Sequence, residues 1–498
     1  MDSLNRTQIS DVEKLQWEAT MHAPVTVLQI GEGNFLRGFF DWMIHVCRIQ
    51  GLFQGSIALV QPRPTGKAKI QLLADQDGLY TLVTRGLEQE SRVERREVIA
   101  VFSQVFDPYT QWKRLIDIAV SPELRFMVSN TTEAGMVYRP EQYTDEPIQS
   151  FPGKMCYLLY ARYQAHRGAS DKGLICLPCE LVERNGDMLR DTILRYAQDW
   201  ELPVAFQHWV ITHNRFLNSL VDRIVTGYPE EEQAESYFSE WGYRDEMLDT
   251  AEPYYLWAIE AEPELDHLLP FQQAGLNVYW TDDLARFQQR KVRILNGAHT
   301  WMALLGLLHG IEHVRELLVH PQLGRQVREL VLQEIVPTLP YAKADMLEYA
   351  SEVFDRYANP YLNHRLHDIA MNSVSKFKVR LLPTLSWYAE RGEPFPEGLI
   401  NGCVGFIRYY QIRLDQDGTY IGVTLNGATY TVRDDLHALA KFAEIWAVAD
   451  TYSYSLEHTV RTILSDHSLW GEDVSAWPGF TEAIVQRWAH WEVSKNNT

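Results

Sequence analysis

The run Val25–Ile30 (VTVLQI) ends directly on Gly31-Glu32-Gly33-Asn34, and a helical pattern follows from about Phe35 to Arg48. A short, almost continuously apolar run of this kind reads as a strand buried on both faces. Such a strand belongs in a parallel sheet with helices on either side. The pattern recurs. Ser56–Gln61 (SIALVQ) is a second buried strand, closed by Pro62 and Pro64, and Leu124–Asn130 (LRFMVSN) is another, ending in the polar turn Thr131-Thr132-Glu133-Ala134-Gly135. A helix over 152–166, a strand at Leu174–Cys179 and helices near 185–199 and 202–217 continue the series. Leu79–Thr84 and Arg92–Phe102 read as a more exposed strand pair, and Tyr109–Val120 as a helix. Strands alternating with helices of this length predict an α/β fold built on a Rossmann-type, doubly wound sheet.

At 498 residues the chain is too long for one ordinary core. From about Asp283 onward long helical periodicities dominate: 295–309, 312–319, 323–335, 343–357, 361–371, 437–449 and 457–465. The expected organisation is a nucleotide-binding domain over 1–283 and a mainly α-helical, substrate-binding domain over 284–498. The formal charge of −20 makes nucleic acid and anionic lipid poor partners. It also means that an anionic substrate needs a local basic pocket. The first twenty residues are polar and charged, with no apolar stretch of the kind a secretory leader carries. The longest apolar runs, such as Met302–Leu308, fall far short of the roughly 20 residues that span a bilayer. Five cysteines in so long a chain argue against a disulfide framework. A cytoplasmic location and no membrane contact are the expectation. The oligomeric state is not legible.

Glycines at a strand-to-helix turn let the backbone approach a pyrophosphate, which then sits on the positive end of the helix. Gly31 and Gly33 occupy that context, followed by Asn34, Phe35 and Leu36. The third glycine of the usual spacing would fall at Leu36, and the next glycine, Gly38, comes two positions late. The second strand ends Val60-Gln61-Pro62-Arg63, without the carboxylate that commonly holds the ribose 2′-hydroxyl. Gln61 suits a ribose hydroxyl and Arg63 equally suits a 2′-phosphate, so chemistry alone leaves NAD and NADP open, leaning slightly to NADP.

At the expected domain boundary lies Lys291-Val292-Arg293-Ile294-Leu295-Asn296-Gly297-Ala298-His299. Asn296 and His299 share a helical face. On an α-helix Lys291 would lie within about 140° of both, at about 100° per residue. Hydride transfer to or from an alcohol carbon needs a proton donor or acceptor and polar groups that steady the oxygen. Lysine, asparagine and histidine supply these. Spacing alone fits better a plain helix start with a solvated lysine, an asparagine and a core histidine.

This Lys-x-x-x-x-Asn-x-x-His segment resembles the catalytic motif of the mannitol dehydrogenase family, the long-chain polyol dehydrogenases. The resemblance extends along the chain. Gly31–Arg37 resembles the family's cofactor turn, and Ser129-Asn130-Thr131-Thr132-Glu133 a segment along the nicotinamide. Asn218–Ile224 resembles a substrate-lining motif, and Ser375-Lys376-Phe377 a motif whose lysine contacts substrate. Gln76–Tyr80, Pro178–Leu181, Val225–Pro229 and Ile294–Thr300 resemble the branch of the family that reduces ketohexuronates. The resemblance implies NAD as cofactor and no metal, with Lys291 as general acid/base and Asn296 and His299 polarising the reacting oxygen. Asn130, Thr131 and Glu133 would lie along the cofactor, and Glu180, Asp222, Arg223 and Lys376 against the substrate. It also implies reversible reduction of D-tagaturonate to D-altronate in hexuronate breakdown. Fructuronate reduction and polyol oxidation are the alternatives within the family. A nucleotide sensor without turnover is the alternative outside it, and the intact Lys291, Asn296 and His299 set argues against that.

Two positions depart from the polyol-oxidising members. Glu180 stands where they carry a substrate-binding asparagine, and Asp368 where they carry a substrate-binding arginine. Lys376, Lys378, Arg380 and Arg223 are the cations that would offset the added negative charge. Asp222 would hold a substrate hydroxyl or tune Lys291, or else form a structural pair. Cys176-Leu177-Pro178-Cys179 ends an apolar strand and reads as two buried thiols rather than half a zinc site. His299, His309 and His313 lack a tightly spaced ligand partner, and the tryptophans at 470, 477, 488 and 491 read as packing.

Overall fold

A computed structural model describes residues 1–495. The chain forms two compact units, one over Met1–Leu284 and one from Ala285 onward.

The first unit is built on six parallel strands. These are β1 (Val25–Ile30), β2 (Ser56–Val60), β3 (Phe102–Val105), β4 (Phe126–Ser129), β5 (Ile175–Pro178) and β6 (Arg215–Phe216). Their order is β3-β2-β1-β4-β5-β6, with every neighbouring pair parallel. Successive side chains on a strand point to opposite faces, and both faces here are buried. Val27, Ile57, Leu59, Phe126 and Val128 enter one core with Phe39, Phe40 and Trp257. Leu28, Ile30, Ala58, Val60 and Met127 enter the other, with Leu159 and Ile193. This explains why the central strands read as apolar runs rather than as alternating patterns.

Two further three-stranded sheets complete the unit. One joins Asp249–Ala251, Tyr80–Glu88 and Ser91–Ile99; the other joins Val278–Thr281, Leu256–Glu260 and Ser219–Asp222. The expected strand Arg92–Phe102 is corrected here. The hairpin strand stops at Ile99, and Phe102–Val105 is the outer strand of the parallel sheet, reached through buried Ala100 and Val101. An unbroken apolar stretch concealed the change of sheet. The helix expected over 202–217 ends at His213, because β6 begins at Arg215.

The second unit is mainly helical, with a small antiparallel sheet of Arg413–Leu414, Tyr420–Val423 and Thr429–Thr431. Its centre is the helix Gly297–Leu308, where Trp301, Met302, Ala303 and Leu304 are fully buried. Helix Glu397–Tyr409 packs closely on it. A Cβ at Gly402 would meet the Trp301 ring at 2.7 Å, and one at Gly405 would meet Leu305 at 2.9 Å. The Trp301 indole also donates to the Gly398 carbonyl at 2.8 Å. The pattern over 361–371 yields only the short helix Leu366–Ile369; the αL residue Asn372 then starts a separate helix, Ser373–Arg380. Trp470 and Trp488 are buried. Among the described residues no helix is long and apolar enough to cross a membrane.

Candidate active site

Within the first unit, strand register brings one cluster of candidate residues together. Ile30 of β1 pairs with Val60 of β2 and with Ser129 of β4, and Ser129 pairs with Pro178 of β5. Gly31, Gln61, Asn130 and Cys179 therefore leave the sheet side by side at its carboxyl edge. There the chain order reverses between β1 and β4, the position at which open parallel sheets bind ligands.

Gly31 has φ +137, and a Cβ there would approach the Asn130 carbonyl at 3.0 Å and Leu36 at 3.3 Å. Gly33 precedes the helical turn Asn34–Leu36, and a Cβ on it would meet nothing within 4 Å. The helix begins without a side-chain cap, so backbone N–H groups beside an open glycine are available to a phosphate. Leu36, at the usual third-glycine position, is buried. Gly38 serves packing instead, because a Cβ would meet Val225 at 2.7 Å. Asn34 accepts from Arg37 at 2.8 Å, and Phe35 stacks on Phe39.

Gln61 is buried and its amide donates to Asp107 at 2.7 Å, while its Oε1 has no hydrogen-bond partner among the described residues. That oxygen suits a ribose hydroxyl. A carboxylate from the glycine turn approaches the end of β2. A Cβ built on Gly66 would lie 2.5 Å from Glu32 Oε1 and 2.7 Å from Gln61 Cβ, which sets the Glu32 carboxylate beside Gln61. Burial raises the Glu32 pKa, against the pull of Lys69, Arg63 and Arg37. Exposed Arg63 lies on the rim of a solvent-open groove of about 490 Å³, whose walls include Thr131, Thr132, Arg139 and Ser150. Beneath this rim is Lys154, with no solvent exposure. Its ammonium donates to the Pro62 carbonyl at 3.1 Å and to the Tyr109 hydroxyl at 2.9 Å.

The turn after β4 is held by Glu180. Its carboxylate accepts from the Thr131 N–H at 2.9 Å, the Thr131 hydroxyl at 3.2 Å and the Ser129 hydroxyl at 3.2 Å. Asn130 donates to the Cys179 carbonyl at 2.7 Å. Thr132 has φ +94, an unfavourable value for a β-branched residue. Glu133 is exposed at the start of the next helical turn. Cys176 and Cys179 are buried free thiols, both pushed up in pKa by burial. An open glycine turn, an unpartnered Gln61 oxygen and a walled groove at the switch point fit a dinucleotide.

A second cluster of candidate residues lies within the helical unit. Lys291–Asn296 is a π-helical turn between Leu284–Arg290 and Gly297–Leu308. Its i→i+5 bonding places residues five apart in successive turns, so the 100° wheel expected for Lys291 and Asn296 does not apply. Lys291 and Asn296 are half-buried. His299 follows one turn on. Its ring packs 4.5 Å from Tyr357 and 5.7 Å from His364, and its Nε2 is buried without a hydrogen-bond partner. Burial, followed by the nearby His364, Arg356, Arg380 and Lys376, holds its pKa well below the ordinary histidine value. His299 is thus a neutral imidazole at neutral pH. Lys376 donates to the Ile369 carbonyl at 2.8 Å.

The structure separates the expected substrate residues by role. Arg223 is buried, and its guanidinium donates to the carbonyls of Glu252 (3.0 Å) and Gly38 (2.7 Å) and to the Thr84 hydroxyl (3.2 Å), over the Trp42 ring. It is an internal brace, which corrects its expected place among the cations facing substrate. Asp222 is buried on strand Ser219–Asp222, and Asp368 is exposed. Glu32 and Lys154 were not singled out from the sequence. Glu32 reads there as a spacer between glycines, and a lone lysine on a helix reads as solvated.

A doubly wound nucleotide-binding unit with a helical unit carrying lysine, asparagine and a neutral histidine defines the general class of dinucleotide-dependent oxidoreductases. Comparison with known proteins narrows this. The mannitol dehydrogenase Rossmann domain matches residues 25–271 and the mannitol dehydrogenase C-terminal domain matches residues 283–491. The chain belongs to the mannitol dehydrogenase family. It is 40% identical to the altronate oxidoreductase of Bacillus subtilis over 463 residues, 93% of this chain and 92% of that one. It is 38% identical to the altronate oxidoreductase of Halalkalibacterium halodurans over 476 residues, 95% and 92% of the two chains. In fold it is similar to the Pseudomonas fluorescens mannitol 2-dehydrogenase (TM-score 0.64, 21% identity, 95% and 93% covered) and to a D-sorbitol dehydrogenase (TM-score 0.74, 17% identity, 95% and 94% covered).

Proposed function

We propose that this protein is an NAD-dependent sugar-acid oxidoreductase that interconverts D-tagaturonate and D-altronate. The observation that carries the catalytic reading is the buried, unpartnered Nε2 of neutral His299, one turn beyond Asn296 and the Lys291 π-turn. The substrate rests on the relatives named altronate oxidoreductase, at 36–40% identity over almost the whole chain.

Gly31, Gly33, Asn34, Phe35 and Leu36 would form the pyrophosphate turn, Gln61 and Arg63 the ribose end, and Asn130, Thr131 and Glu133 the opposite wall. The cofactor, when bound, supplies or accepts the hydride. Lys291 delivers the proton to the carbonyl oxygen in reduction and takes it back in oxidation. The Asn296 amide and the His299 imidazole hold that oxygen and steady its developing charge. Glu32 favours NAD, because a carboxylate beside Gln61 attracts a 2′-hydroxyl and repels a 2′-phosphate. Glu180 keeps the turn after β4 in place through Thr131, and Asp222 and Lys376 complete the substrate contacts.

The test is turnover of NADH and NADPH with D-tagaturonate, D-fructuronate and D-fructose, with and without a chelator. Preference for tagaturonate and NADH, indifferent to chelator, is expected. Preference for fructuronate would move the substrate and leave the mechanism, and no turnover with any of them would overturn the reading.

A further inference from the structure

A chain with net charge −20 handles anions poorly unless it concentrates cations where the anion binds. The helical unit does this around His299. Beside burial, the largest charge effects on His299 come from His364, Arg356, Arg380 and Lys376. Of these, Arg380 and Lys376 lie four residues apart on helix Ser373–Arg380, but their surroundings differ. Lys376 donates to the Ile369 carbonyl and shares the field of Asp434. Arg380 donates through one guanidinium nitrogen to the Asn296 carbonyl (3.4 Å) and the Thr300 hydroxyl (3.1 Å), both neutral. Among the described residues it makes no ion pair, although it is partly buried. A guanidinium cannot shed its proton, and a partly buried cation without an anion is costly unless a ligand completes it. Its planar fork also matches a carboxylate in two parallel hydrogen bonds.

We propose that Arg380 receives the substrate carboxylate and sets the preference for a sugar acid over a neutral ketose. The inference rests on the sugar-acid reading above and names the residue that enforces it. Because the same guanidinium grips the backbone of Asn296 and the side chain of Thr300, it ties the carboxylate position to the turn that carries Asn296 and His299. It also accounts for how the chain tolerates Asp368 in place of a cation: Asp368 is exposed, and the compensating charge comes from a different position.

The test uses full-length Arg380→Gln and Arg380→Lys, with KM and kcat on D-tagaturonate and D-fructose and the Kd for D-altronate measured calorimetrically. Thermal unfolding confirms that each variant folds. Arg380→Gln is expected to raise the tagaturonate KM and the altronate Kd about 10- to 100-fold, the scale of a lost hydrogen bond to a charged group. The loss in kcat/KM is expected to be far larger on tagaturonate than on fructose, and Arg380→Lys recovers part of it. An unchanged altronate Kd, or an equal loss on tagaturonate and fructose, would overturn the assignment and leave the proposed reaction intact. A wild-type protein that reduces only neutral ketoses would overturn both.

Discussion

Replacing Lys154 by methionine should remove a pH-dependent component of stability whose size follows from the structure. Lys154 is fully buried beneath the Pro62–Arg63 rim, and burial lowers its pKa from 10.5 to about 7, against the smaller pull of Glu141 and Asp107. In the unfolded chain the amine stays protonated up to about pH 10.4. Between those two values the unfolded state binds one more proton than the folded state. Unfolding free energy should then rise with pH by about 1.4 kcal/mol per unit. Below about pH 7 both states are charged and the component is flat. The stability of wild type minus that of Lys154→Met should therefore grow by about 2 kcal/mol between about pH 7 and about pH 9. Urea unfolding of both proteins across that range measures it, and taking the difference cancels the other titrating groups. The neutral amine still donates to Pro62 and Tyr109, so deprotonation does not break the local bonds. A difference that stays constant, or shrinks, as pH rises would refute a buried amine with a depressed pKa. Because Lys154 supports Pro62, the variant should also raise KM for NADH more than KM for the sugar acid.

Lys291→Ala should lower kcat by at least about 100-fold, the usual scale of general acid/base help, while NADH binding measured by fluorescence is retained; near wild-type turnover would remove Lys291 from the mechanism. Glu32→Gln should shift the ratio of kcat/KM for NADH over NADPH toward NADPH by about tenfold, and an unchanged ratio would mean that the carboxylate does not face the ribose. Arg223→Met should cost about 3 to 5 kcal/mol in urea unfolding, because buried acceptors at Glu252, Gly38 and Thr84 lose their donor. Its substrate KM should stay near wild type. A raised KM without loss of stability would return Arg223 to the substrate pocket.

The strands of the parallel sheet were readable because burial on both faces leaves a local mark, a short apolar run bounded by turns. Val25–Ile30, Ser56–Val60 and Phe126–Ser129 are seen where expected. The reading failed where that mark carries no boundary. The apolar stretch through Ala100 and Val101 hid a strand that leaves one sheet and joins another. Likewise, a periodicity over 361–371 could not show that a left-handed residue at Asn372 divides two helices. The π-turn at Lys291–Asn296 was also not legible, since a one-residue change in bonding period leaves the residue types unaltered.

The sequence by itself determined the layered α/β architecture and the glycine turn after β1, because each depends on residues within one element or one turn of each other. The partners of the charged side chains were decided by tertiary structure alone. Arg223 reaches Gly38 across 185 positions, Glu180 reaches Thr131 across 49, and Arg380 reaches Asn296 across 84. A charge's role depends on its burial and on the groups facing it. Those are set when distant segments pack, so Arg223 became a brace while Arg380 was left with neutral partners beside His299.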